Sequence, residues 1–318
     1  MSRIAYGDVE AAADRIAGHV RPVAMAPVEP GVFGAARGHL ALEYLQHTGS
    51  FKARGSEAFF TAHLAEGSMP GAGVVIASGG NAGLATAWSG RRHEVPVTVF
   101  VPENAPAVKT ARLRALGADV RQVGREYAEA LAAAERFAAE SGALRGHAYD
   151  HLQVAAGAGT LLPEMVAALP EGLDTVVVAV GGGGLFAGVA AAAEHFGVRV
   201  VAVEPRHCRA LNAAIEADAV VDVTVESVAA DSLGARRTSR MALERARRPE
   251  VRSVLVEDAH IVQARQALWD DRRIVVEHGA ATALAALLSG AYQPVAGERV
   301  AVVLCGANTD PADLLPTP

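Results

Sequence analysis

Residues 176–196 read VVVAVGGGGLFAGVAAAAEHF. A short apolar run, rich in valine, meets four glycines at 181–184 and then an alanine-rich run of helical period. An apolar run with no polar alternation reads as a strand covered on both faces. The four glycines cost backbone entropy, and they stand where strand turns into helix. Bare amides at a helix N-terminus suit an anion such as phosphate. A tight turn without a ligand is the other reading. No GKS or GKT follows, so the run is not a P-loop, and its spacing and mid-chain place do not fit the dinucleotide fingerprint.

The same alternation recurs along the chain. Strands are expected at 73–78, 97–102, 118–123, 175–180, 198–205 and 299–306. Helices are expected at 83–92, 106–116, 127–141, 185–196, 258–271 and 280–289. Apolar strands separated by helices make an α/β fold with largely parallel sheets. The length of 318 residues suffices for two lobes. Residues 218–250 are weakly patterned and read as an excursion from the sheet.

Three strand ends run into polar or glycine-rich turns: VVIA into SGGNAG, VVVAV into GGGGLFAG, VAVVL into CGANTD. Ligands of open α/β sheets gather beyond the carboxyl ends of strands, so one crevice is expected to collect all three. In the first turn Ser78 and Asn81 donate and accept, while Gly79, Gly80 and Gly83 leave amides open. A plain helix cap at Ser78 or Asn81 accounts for the same residues.

Composition narrows the classes. The net charge is -6 and charged residues make up 20%, which is no nucleic-acid footprint. The one basic run, GARRTSRMALERARRPEVR (234–252), reads as a solvated helix surface. Two cysteines, Cys208 and Cys305, without a CxxC pair, fit a reduced, cytoplasmic setting. No apolar run reaches 18 residues and the N-terminus carries no signal-peptide core, so neither a membrane span nor a leader is expected.

Of 29 basic residues only Lys52 and Lys109 are lysines. A lysine amine can lose its proton and attack a carbonyl, which arginine cannot do. Lys109 lies in an amphipathic, basic pattern and reads as a surface residue. Lys52 follows Gly49-Ser50-Phe51 at an expected helix start. A nucleophilic lysine together with a phosphate turn suggests pyridoxal phosphate.

The motifs TGSFKARG, SGGNAG, GGGGL, VAVEP, ADSLG and CGANTD come in order between about residues 20 and 310. This ordered set resembles the serine/threonine dehydratase (ammonia-lyase) branch of the fold-type II, tryptophan-synthase-β-like pyridoxal phosphate enzymes. The resemblance implies two open three-layer lobes: residues 1–50 with 146–318 as a large cofactor-binding domain, and 51–145 as a small, mobile one. It implies that Lys52 bonds the cofactor as its Schiff-base lysine and removes the substrate α-proton. Phe51 would pack by the ring, Gly181, Gly182, Gly183, Gly184 and Leu185 would wrap the phosphate, and Asn81 would bond the 3-hydroxyl. Cys305 would face the pyridine nitrogen, where a neutral thiol makes the ring a weaker electron sink than an aspartate does. Ser78, Gly79, Gly80, Asn81 and Ala82 would bind the substrate carboxylate, and Glu277 would lie near the active site.

The departures are informative. Ala82 stands where the branch usually has histidine, and Gly79 where its racemases have a second serine, so racemase activity is not expected. Glu204 matches the branch's cation site, but the acid expected six residues on is Ala210; Asp231 is a weak substitute, and no metal is expected. A regulatory extension after residue 318 is not expected, nor is feedback by isoleucine. The implied activity is loss of water and ammonia from L-threonine or L-serine. Alternatives are another 3-hydroxy amino acid such as 3-hydroxyaspartate, or an inactive protein keeping the fold. A homodimer or tetramer is the implied assembly, with a small amino acid as partner.

Overall fold

The computed structural model describes residues 3–315. The strands are β1 (Met25–Pro27), β2 (Arg37–Ala41), β3 (Val74–Ala77), β4 (Val97–Val101), β5 (Asp119–Gln122), β6 (Leu144–Arg145), β7 (Thr175–Ala179), β8 (Arg199–Pro205), β9 (Val251–Val256) and β10 (Arg299–Val303). The helices before β7 are α1 (Tyr6–Ile16), α2 (Lys52–Ala65), α3 (Asn81–Arg92), α4 (Ala107–Ala115), α5 (Tyr127–Ser141), α6 (Leu152–Gly159) and α7 (Leu161–Ala168). After it come α8 (Gly184–Phe196), α9 (Ala210–Glu216), α10 (Ala230–Leu233), α11 (Arg240–Ala246), α12 (Asp258–Arg272) and α13 (His278–Leu288).

Two sheets form. One has the order β1-β2-β10-β7-β8-β9 and the other β5-β4-β3-β6. Every neighbouring pair is parallel except β1 with β2. Parallel strands share a direction, so the carboxyl ends of adjacent β7 and β10 lie side by side. That places the 181–184 turn and Cys305 at one edge. The six strands read from the sequence are all present, each up to three residues shorter than its apolar run. Four strands were not read from the sequence: β1 and β6 have three and two residues, β2 is RGHLA, and β9, VRSVLV, is mostly apolar but broken by Arg252 and Ser253.

Each sheet is covered on both faces. Ala130, Ala133, Ala134 and Ala138 of α5 cluster with Val75, Ala77 and Phe100. Phe59, Phe60, Leu84 and Ala87, from α2 and α3, cluster with Val74, Ile76 and Val99 of the same strands. Side chains alternate across a strand, so the two clusters lie on opposite faces. Around the larger sheet, small residues let helices touch. A Cβ on Gly188 of α8 would overlap the Ala155 carbonyl of α6, and one on Gly157 of α6 would crowd the Arg54 carbonyl of α2.

Arg54 anchors α2 further. Its guanidinium is fully buried. Nε donates to Glu43 at 2.6 Å, and Nη1 and Nη2 donate to Glu164 at 2.6 and 2.8 Å. Glu43 Oε2, Thr160 Oγ1 and the Arg21 carbonyl accept its remaining bonds. Burial works against this charge, but Glu43 and Glu164 outweigh it and hold the guanidinium pKa above its ordinary value. Removing one partner would strand a buried charge, typically costing about 3–5 kcal/mol.

The basic run at 234–252 is less exposed than its composition suggests. Met241, Ala242, Leu243 and Arg245 of α11 are buried. Arg245 bonds Glu194 and the Ile4 carbonyl. The apolar face of α11 is what packs this segment against α8.

Gly188→Ala should cost about 1–3 kcal/mol of stability, because the added methyl must force α6 and α8 apart. Urea unfolding would read this as a lowered midpoint.

Candidate active site

Ser50 pairs with Gly306 as an isolated bridge, and the Phe51 amide donates to the Cys305 carbonyl at 2.9 Å. These contacts pin the residues before α2 to the end of β10. Lys52 therefore begins its helix beside Cys305. Its Nζ donates to the Ala148 carbonyl at 2.6 Å and lies 4.7 Å from the Phe51 ring centroid. Burial lowers its pKa to about 8, with Cys305 and Glu277 acting in the opposite sense. Burial also pushes the Cys305 thiol up to about 12, and Glu277 adds to the effect, so the thiol stays neutral.

The glycine turn lies next door. Gly183 has φ +92° and is the N-cap of α8. A Cβ on Gly182 would enter the Tyr149 ring, and one on Gly184 would stand 2.9 Å from the Tyr149 carbonyl. Tyr149 follows Ala148, the acceptor of the Lys52 amine, so one short segment touches both the lysine and the glycines. The outer wall is the weakly patterned excursion. Ser239 N–H donates to the Gly182 carbonyl at 2.9 Å, and a Cβ on Gly183 would overlap Ala242. Leu185 is buried in the first turn of α8.

The SGGNAG turn opens α3, with Gly80 as N-cap. The Ser78 hydroxyl accepts from the Gly80 amide at 3.4 Å. A Cβ on Gly83 would overlap the Ser78 carbonyl, which explains glycine at that place. Asn81 Nδ2 donates to both Glu277 oxygens, at 2.9 and 3.0 Å. Asn308 closes the network: its amide donates to Glu277 Oε1 at 2.8 Å, and its Nδ2 donates to Asn81 Oδ1 at 2.7 Å. Burial raises the Glu277 pKa against these hydrogen bonds. Residues from α3, the end of β10 and the start of α13 thus meet at one buried carboxylate.

Gly79 and Ala82 complete the turn. Ala82 lines a narrow cleft beside Lys52. Lys52, Ser56, Phe59, Thr86 and His147 share that lining. Lys109, read as a surface residue, lies partly exposed across from Asp231 and donates to it at 2.6 Å. Beside it, Arg112 donates to Asn308 at 2.6 Å. Glu204 stands apart: it is buried, accepts the amides of Leu211 and Asn212, and burial pushes its pKa to about 8. Both oxygens are thus spent on α9.

Sequence reasoning passed over Asn308, His147 and Tyr149. Asn308 stood inside the quoted CGANTD. The other two lie in a loop whose only signal was its aromatic content.

An aldehyde-bearing phosphate fits this arrangement. The lysine amine is partly buried with a depressed pKa, a helix N-terminus with tightly enclosed glycines lies one contact away, and the adjacent thiol is neutral. Ser50 Oγ, buried beside the Cys305–Gly306 backbone, has no protein partner.

The chain matches the family model described as pyridoxal-phosphate dependent enzyme over residues 33–306. Mouse (Mus musculus) serine dehydratase-like is 36% identical over 280 residues, covering 85% of this chain and 84% of that protein. Phenylserine dehydratase of Ralstonia pickettii is 34% identical over 273 residues, covering 85% and 82%. Among solved structures, maize serine racemase has a TM-score of 0.90 at 26% identity, covering 98% of this chain and 96% of that one. The chain belongs to the pyridoxal-phosphate dependent enzyme family, has its fold-type II architecture and uses pyridoxal 5'-phosphate.

At pH 7 roughly a tenth of a lysine with pKa about 8 is unprotonated, against roughly 0.03% for an ordinary one. The rate at which cofactor-free protein takes up pyridoxal phosphate should therefore rise with pH and level off above about 8. Stopped-flow absorbance would follow it. An ordinary lysine would give a rate still climbing at about pH 10.

Proposed function

We propose that the protein removes water and ammonia from a small 3-hydroxy amino acid, L-threonine or L-serine, as a carbon–nitrogen lyase. The observation that carries this reading is the partly buried Lys52 amine, set between the glycine turn of one sheet and the SGGNAG turn of the other. The identity to dehydratases and ammonia-lyases over most of the chain supports the reaction class.

When bound, pyridoxal phosphate supplies an aldehyde for an amine and a ring that draws electrons from Cα. Lys52 would hold it, Gly181–Gly184 and Leu185 would take its phosphate, and Phe51, Asn81 and Cys305 would border the ring. Cys305, a neutral thiol and not a carboxylate, would border the ring nitrogen, so the bound ring would draw electrons less strongly than one paired with an acid. The free Lys52 amine would take the substrate's α-proton. The first-turn amides of α3, with Ser78, Gly79, Gly80 and Ala82, receive the substrate carboxylate, since an anion is stabilised at a helix N-terminus. Glu277 acts through Asn81, fixing its amide. Residues 51–145 serve as the small domain and close over the substrate against 1–50 and 146–318, excluding water from the proton transfer.

The cleft beside Lys52 favours threonine over 3-hydroxyaspartate. Phe59, Phe60, Val74, Ala82 and Val154 make most of its wall apolar, Ser56, Thr86 and His147 add polar groups, and none of the lining residues is an arginine. A methyl group gains from such a wall, whereas an unpaired carboxylate loses its hydration there. The setting we assign is the cytoplasm; no helix among the described residues is long and apolar enough to cross a membrane. The assembly we assign is a homodimer or tetramer.

Ammonia and 2-oxo acid should form from L-threonine or L-serine at a kcat/KM at least about tenfold above that for 3-hydroxyaspartate, a margin of one well-placed polar contact. Lys52→Ala should lower turnover by on the order of 10³-fold or more, the scale of a lost general base. Equal turnover by the variant, or preference for the diacid, would overturn this assignment.

A further inference from the structure

Five residues beyond Lys52 on the same helix, Glu57 is fully buried. Two imidazoles converge on one of its oxygens. His19 Nδ1 lies 2.8 Å from Oε1, and His93 Nε2 lies 2.6 Å from it. The Ser89 hydroxyl donates to Oε2 at 3.0 Å. The residues come from three segments: the turn after α1, the middle of α2 and the C-cap of α3. One donor atom from each of His19, Glu57 and His93 lies within 4.8 Å of the others. None of these residues has a part in the elimination.

We propose that His19, Glu57 and His93 form a binding site for one divalent ion of the zinc class. Two imidazole nitrogens and one carboxylate oxygen are a donor set that zinc takes, with a fourth position left to water. A tetrahedral ion about 2.1 Å from each donor would set the donors about 3.4 Å apart. The contacts of 2.8 and 2.6 Å must therefore open by about 0.6 and 0.8 Å. His19 has room to do so, its side chain being 33% exposed. The opposing charge is Arg92, whose Nε lies 3.5 Å from Glu57 Oε1 with the side chain 39% exposed. Arg92 turns to solvent as the ion enters. Ser89 keeps the second carboxylate oxygen oriented, the role of a partner behind a metal ligand. The ion ties the segment after α1 to α2 and α3, and so braces the helix that carries Lys52.

The test uses the cofactor-loaded protein, stripped of metal with a chelator. It is titrated with Zn²⁺ by calorimetry and with Co²⁺ by visible absorbance. The expected result is one ion per chain, with the intense absorption of tetrahedral Co²⁺. Affinity should fall on acidification, because an imidazole must be unprotonated to bind a metal ion. His19→Gln and His93→Gln should each weaken binding more than about tenfold. Arg92→Ala should tighten it, and His63→Gln, a histidine outside the cluster, should leave it unchanged. Circular dichroism checks that each variant folds. Absence of uptake by the wild type, or equal affinity in the wild type and both histidine variants, overturns the proposal.

Discussion

The buried Arg54 guanidinium is the interaction on which the rest of the site depends. It has no exposure to water, and its donors are taken by two carboxylates, a hydroxyl and a carbonyl. A charge in that position is tolerated only if its partners stay put. Glu43 lies just beyond β2 and Glu164 lies in α7, so both belong to the framework around the larger sheet. Through Arg54 that framework holds the first turn of α2. Lys52 sits two residues earlier, and its amine inherits the placement.

The same framework sets the chemistry. Removing Lys52 from water favours its neutral form, the form a nucleophile and a base require. The cost of that burial is offset by a single strong contact to Ala148 O, which exchange with a cofactor would release. Around it, Asn81, Glu277 and Asn308 join the two sheets through a closed set of hydrogen bonds. Such a network fixes side-chain orientation where isolated surface pairs do not. Lys109–Asp231 and Arg112–Asn308 span the same mouth but remain exposed, so they contribute little rigidity.

Much of this was legible in the chain. The valine-rich runs at 176–180 and 300–304 declared buried parallel strands because no polar residue interrupts them. The glycines at 181–184 were legible for a related reason: their neighbours approach too closely for a side chain. The role of the 218–250 excursion was not, since Leu233, Ser239 and Ala242 meet the glycine turn only through tertiary folding. Nor was Arg54, which resembles any other arginine among 27 until its partners, 11 and 110 residues away, are brought together. Asn308 was hidden likewise: its partner Asn81 is 227 residues off. Local pattern records burial and backbone freedom, whereas pairings across the sheets are set by topology.

The central claim is that Lys52, and not the only other lysine, carries the cofactor. The direct measurement is mass-spectrometric peptide mapping of cofactor-loaded protein after borohydride reduction, which freezes the lysine–cofactor bond. The account predicts a single pyridoxyl-phosphate adduct, on the peptide containing Lys52. An adduct on Lys109, or none on either peptide, would contradict it.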